Sequence, residues 1–150
     1  MPRQILVYLF RDSGEVLLLK RTEQWGGFWQ GVSGAPEWGE TDDEGAIREV
    51  HEETGFRVTS LRRIDFRYDL LRENDPDGER WEQLYGPDVH AIPEEVYVAN
   101  APDGRDPVLA PYEHDTFMWC SVEDALQLLA WENNRRALVA AVQFIASNPP

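Results

Sequence analysis

The first pattern along the chain is an apolar run, Ile5-Leu6-Val7-Tyr8-Leu9-Phe10, followed after Arg11-Asp12-Ser13-Gly14 by a second β-like run from Glu15 to Lys20. Small polar residues and a glycine between two such runs predict a hairpin, and so an antiparallel start. A short strand is expected at Trp29 to Ser33. It runs into Gly34-Ala35-Pro36-Glu37-Trp38-Gly39-Glu40, whose glycines and proline predict a structured loop. Thr41-Asp42-Asp43-Glu44 then has the spacing of a capping box, in which Thr41 accepts from an amide of the first turn and Glu44 reaches back to the cap's own amide. The helix that starts there should run to about Thr54 with Ala46, Ile47, Val50 and Thr54 on its packed side, and Gly55 supplies the left-handed residue that ends it.

Alternation resumes at Ile64, Phe66, Tyr68 and Leu70. It breaks over Glu73-Asn74-Asp75-Pro76-Asp77-Gly78 and returns weakly from Trp81 to Tyr85, a pattern that predicts a second strand pair or an edge ribbon. Glu95 to Ala99 and Thr116 to Cys120 read as further strands, separated by a loop that contains Pro102, Gly104 and Pro107. Ser121 is placed to cap a helix from Val122 to Leu129, and Asn133 or Asn134 to cap a last helix on which Leu138, Val142 and Ile145 recur at near-helical spacing. Strands, a helix, more strands and then two helices predict an α+β fold with a mixed sheet rather than a doubly wound parallel one. No repeat and no long linker interrupts the 150 residues, so residues 1–150 are expected to form a single domain.

Charge changes the picture more than size does. Fourteen basic against 28 acidic side chains leave a net charge of −14, which argues against nucleic acid polymers and anionic membranes as partners. A phosphate-bearing ligand would need a cation beside it. No apolar run approaches the roughly 20 residues of a membrane span. The start Met1-Pro2-Arg3-Gln4 lacks the small-residue cleavage site of a signal peptide, so a cytoplasmic location is expected. Cys120 is the single cysteine; it excludes an internal disulfide framework, and its apolar neighbours Phe117, Met118 and Trp119 point to packing. Of six tryptophans, Trp25, Trp29 and Trp38 fall close together beside glycines, where they can line a cleft or pack in the core.

The chemistry concentrates in residues 34–56, which contain Glu37, Glu40, Glu44, Glu49, Glu52 and Glu53. Helical residues four apart share a face, so Glu49 and Glu53 project together with Glu52 adjacent to both. Crowded anions raise one another's pKa, and a hard divalent ion, Mg²⁺ or Mn²⁺, would relieve them. The spacing is equally that of a solvated acidic helix face with Arg48 and Glu52 paired at i, i+4.

The segment also carries a longer signature: Gly34, five residues, Glu40, seven residues, Arg48-Glu49-Val50, one residue, Glu52-Glu53, one residue, Gly55-Phe56. At every fixed position it resembles the box of the Nudix hydrolases, enzymes that cleave a nucleoside diphosphate linked to another group. Phe28-Trp29-Gln30, Glu113-His114 followed by Trp119, and Trp131 with Asn134-Arg135 extend the likeness toward the bacterial dihydroneopterin triphosphate diphosphatases. The resemblance implies an α/β/α sandwich with a mixed sheet and a loop-helix-loop catalytic motif. It also implies a Mg²⁺-dependent diphosphatase, with Mn²⁺ as a substitute, acting as monomer or homodimer on a small phosphorylated substrate. Dihydroneopterin triphosphate is the expected substrate. The alternatives are oxidised nucleoside triphosphates, dinucleoside polyphosphates and nucleotide sugars, or a sensor that binds a phosphorylated ligand without cleaving it.

The same resemblance makes Glu49, Glu52 and Glu53 metal ligands, joined by the Gly34 carbonyl and by Glu113 from outside the helix. Arg48 would orient a carboxylate of the set and Glu40 would support the loop. Glu53, Glu113 and Glu49 are the candidates for the group that takes a proton from water, and sequence does not choose among them. Trp29 and Gln30 are expected to contact substrate. Arg21 ends the strand Leu17-Leu18-Leu19-Lys20, either as a phosphate-binding arginine or as a surface charge closing an edge strand. His51 should be exposed, one position off the acidic face, and His114 either contacts substrate or supports its loop.

Overall fold

The structure is a computed structural model that describes residues 2–75 and 77–149. Met1 of the expected start, Pro76 of the polar break and Pro150 lie outside the described residues. The first run forms β1 (Gln4–Phe10), and it is apolar from Ile5 to Phe10 because both its faces are covered. Ile5, Val7 and Leu9 join Val32, Ala46, Val50 and Tyr97 in one core cluster, while Leu6, Tyr8 and Phe10 join Val96, Val98, Leu138 and Ala141 in the other. The sheet therefore lies between two helical layers, as an α/β/α sandwich requires.

The hairpin to β2 (Val16–Arg21) is present, but the two strands pair only at Phe10 and Val16. Residues 29–34 take the space between them. β3 (Trp29–Gln30) pairs antiparallel with β2, and β4 (Val32–Gly34) pairs antiparallel with β1. The single strand expected at Trp29 to Ser33 is thus split at Gly31, because its two halves serve different neighbours. β5 (Arg62–Leu71) and β6 (Ala91–Asn100) pair antiparallel, β6 runs parallel to β1, and β7 (His114–Cys120) closes the far edge against β2. The sheet of seven strands is mixed. Arg21 does not close an edge strand, since β2 is paired on both sides.

Helix α1 (Asp42–Thr54) has the expected capping box and ends at Gly55, whose φ is 78°. Ala46, Val50 and Thr54 are buried as expected; Ile47 is not, at 41% exposed, because the packed stripe is narrower than the hydrophobic pattern suggests. The weak apolar recurrence from Trp81 to Tyr85 forms a short helix, α2 (Trp81–Tyr85), rather than a strand. It buries Trp81, whose indole N–H donates to Asp75, and sets Trp81 edge-on against Tyr85. α3 (Val122–Leu128) is capped by Ser121 as expected. α4 (Glu132–Ser147) starts at Trp131 with no side-chain cap, so neither Asn133 nor Asn134 plays that part.

Asn134 instead points at the sheet, where its amide donates to the Tyr68 hydroxyl at 3.2 Å. Tyr68 donates to the buried Glu94 carboxyl, and Tyr8 donates to the Asn134 carbonyl at 2.7 Å. This polar network fastens the first turn of α4 to β1, β5 and β6. Cys120 is buried and unpaired, in keeping with a packing role.

Candidate active site

Strands β1 and β4 pack beside α1. Gly34 closes β4 opposite Ile5 of β1, and its backbone presses against Glu49 so closely that a Cβ at this position would clash with the Glu49 carboxyl group. A side chain at this position would force the Glu49 carboxylate to move. The loop from Gly34 to Glu40 is held down by Arg48. Its guanidinium donates to the Ala35 carbonyl at 2.9 Å, to both oxygens of Glu40 at 2.9 and 3.1 Å, and to Glu49 and Glu52 at 3.1 Å each. Glu40 also accepts from the Glu37 amide at 2.7 Å, and these bonds hold its carboxyl below the usual range. Glu40 and Arg48 thus fasten the loop to the helix.

The three box carboxylates do not share one environment. Glu52 is exposed and paired with Arg48, whereas Glu53 is 1% exposed and none of the described residues donates a hydrogen bond to either of its oxygens. Glu49 lies between them. Burial pushes the Glu53 carboxyl well up, and the adjacent Glu49 and Glu113 carboxylates push it further; Glu49 is raised as well, chiefly by burial. A buried carboxylate with no donor is costly unless it is protonated or bound to a cation.

Glu113 arrives from the turn before β7, tied to the end of β2 where the Thr22 amide donates to its carbonyl at 2.9 Å. The structure brings Glu53, Glu113 and His114 together, with one potential ligand atom from each lying within 4.8 Å of the others. His114 is fully buried. Its Nδ1 is 3.7 Å from Glu53 Oε1 and its Nε2 is 2.9 Å from the Gln30 side-chain nitrogen. Burial and the nearby Arg21 charge push its pKa down to about 4. Arg21 pairs with His114 across β2 and β7, with its Nε buried and unpartnered and its guanidinium carbon 5.6 Å from the Phe28 ring. This is a cation turned inward toward the acidic groups.

Gln30 is 7% exposed with its amide against His114, and Trp29 packs partly buried against the core of the α4 side. Trp38 is fully exposed and His51 is exposed. Sequence reasoning did not find the line from Gln30 through His114 to Glu53, nor the buried Glu94. The available signals were weak: a histidine next to Glu113, and Glu94 sharing the inward parity of Val96 and Val98.

A family model described as the NUDIX domain matches residues 1–142. The dihydroneopterin triphosphate diphosphatase of Escherichia coli (strain K12) is 30% identical over 147 residues, covering 91% of this chain and 89% of that protein. A Myxococcus xanthus protein named octanoyltransferase is 35% identical over 127 residues, 84% of this chain; the match spans only 32% of that protein's length. A crystal structure of a NUDIX hydrolase from Listeria monocytogenes superposes with a TM-score of 0.81 at 25% identity, covering 99% of this chain and 97% of the other.

Proposed function

The chain belongs to the NUDIX domain family, whose members act on small phosphorylated substrates with a divalent metal, and on that premise we propose that it is a Mg²⁺-dependent diphosphatase for dihydroneopterin triphosphate. The observation that carries the reading is Glu53, a buried carboxylate without a donor, facing Glu49 and Glu113 at the end of the helix's acidic face. An all-oxygen set of carboxylates suits a hard cation. Glu49, Glu52, Glu53 and Glu113, with the Gly34 carbonyl, would hold it, and Mn²⁺ would substitute. When bound, such an ion offsets phosphate charge and makes a coordinated water more acidic.

The chain's own residues supply the rest. Arg48 and Glu40 keep the Gly34 loop against α1, so Glu49 and Glu53 are presented in one orientation. Arg21, whose charge acts on Glu53, binds a phosphate oxygen of the substrate. Glu53 is the first choice for the group that takes the proton from the attacking water, because it is buried beside Glu113 with no hydrogen-bond partner among the described residues, with Glu113 and Glu49 next. The substrate assignment is supported by the E. coli relative's name and by residues outside the box, Trp29, Gln30, Glu113 and Trp131. A cytoplasmic location and a single catalytic domain over residues 1–150 belong to the same proposal.

The test is hydrolysis of a panel comprising dihydroneopterin triphosphate, an oxidised nucleoside triphosphate, a dinucleoside polyphosphate and a nucleotide sugar, with Mg²⁺ and with Mn²⁺. Dihydroneopterin triphosphate should have the highest kcat/KM, by about tenfold or more. Glu53→Gln should lower kcat by about a hundredfold or more. Equal, feeble turnover of every compound would remove the substrate assignment, and no turnover of any would remove the enzyme.

A further inference from the structure

His114 is the most completely enclosed polar side chain near the carboxylates, and the chemistry described above leaves it without a task. Its surroundings are unusually restrictive. Nε2 is 2.9 Å from the Gln30 side-chain amide; when that amide donates its N–H, Nε2 is the accepting nitrogen of a neutral ring. The ring proton then sits on Nδ1. That nitrogen has no hydrogen-bond partner among the described residues and faces Glu53 Oε1 at 3.7 Å, and Glu53 itself has no other donor.

We infer that Gln30 and His114 form a buried positioning pair: Gln30 selects the Nδ1–H tautomer, and that N–H fixes the orientation of Glu53. The inference rests on the proposed hydrolase reading for its consequence and on the geometry for its substance. A fully buried carboxylate with no donor has nothing to choose one orientation over another. At 3.7 Å the contact is short of a hydrogen bond; were it to close, that N–H would hold one Glu53 oxygen and leave the remaining lone pairs for a cation and water beside Glu49 and Glu113. The backbone supports the arrangement, because the His114 amide donates to the Ala110 carbonyl at 3.1 Å and His114 pairs with Arg21 across the sheet. His114 acts through Glu53, so it is a positioning residue. In the Nδ1–H tautomer the nitrogen that faces the carboxylates carries the proton and has no lone pair for a metal.

The tautomer can be read directly from imidazole ¹⁵N shifts of the full-length protein, without substrate and without mutation. The expected result is Nδ1–H, with Gln30→Met shifting the population toward Nε2–H. In kinetics, His114→Phe should lower kcat by about tenfold or more while KM stays within about threefold, as expected when the partner of a metal ligand is lost. His114→Asn, which keeps an N–H near the Nδ1 position, should recover most of that loss. An Nε2–H tautomer in the wild-type protein, or full kcat in a folded His114→Phe variant, overturns the pairing while leaving a working hydrolase in place. Wild-type protein that turns over none of the substrate panel overturns the functional reading and the positioning role with it.

Discussion

Glu94 offers a sharp test of the fold's energetics, well away from the catalytic groups. It is 4% exposed on β6, accepts from the Tyr68 hydroxyl, and burial pushes its carboxyl up to about 7 from an ordinary 4.5. The folded chain therefore binds this proton more tightly than the unfolded chain. Stability from this group is complete below about pH 4.5, declines as pH rises, and is gone above about pH 7, where the folded state must carry a buried carboxylate. The gap of about 2.5 between the two pKa values, at about 1.4 kcal/mol each, amounts to roughly 3 kcal/mol. Glu94→Gln keeps the shape and an oxygen for Tyr68 but cannot ionise. It should match wild type near pH 4 and exceed it by roughly 3 kcal/mol at pH 8, or about 10 °C in melting temperature for a chain of this size. Thermal and urea unfolding of both proteins from pH 4 to 8.5 measures the difference, and subtracting one from the other removes every other titrating group. Parallel stability curves, or a variant less stable than wild type at pH 8, would refute the account of Glu94 as a carboxyl held neutral by burial.

Other outcomes follow from the site. Gly34→Ala places a methyl carbon against the Glu49 carboxyl, so Mg²⁺ affinity measured by calorimetry should fall by about ten- to a hundredfold while circular dichroism stays native. Arg48→Ala frees the Gly34 loop from α1 at Ala35 and Glu40, so kcat/KM should drop by about tenfold or more; Glu40→Gln, which keeps one acceptor for Arg48, should cost much less. Tyr8→Phe removes one bond to the Asn134 carbonyl and should cost about 1 kcal/mol of stability, read by denaturant unfolding, with kcat unchanged.

Much of this protein was legible from local chemistry. A capping box, a left-handed glycine and the spacing of Arg48, Glu49, Glu52 and Glu53 are events within one or two helical turns, and α1 formed with the ends its residues specify. The apolar run of β1 was legible as a strand; that both its faces are covered was decided by the packing. Errors arose where neighbours decide. Trp81 to Tyr85 alternates too weakly to distinguish strand from helix, and the choice fell to the burial of Trp81 and its bond to Asp75. Asn134 has the chemistry of a cap but lies opposite Tyr68, and the nearer partner won.

The helix periodicity placed Glu49, Glu52 and Glu53 side by side, and no more than that could follow from it. Which of the three is sealed from water depends on β7 and the turn before it, some 60 residues further along the chain, which bring Glu113 and His114 over Glu53 and leave Glu52 to solvent and Arg48. Spacing along a backbone encodes direction, whereas burial, donor supply and the tautomer of a ring are properties of the whole packed neighbourhood. For that reason the kind of chemistry could be read from residues 34–56, but the division of labour among its carboxylates emerged when distant strands closed around them.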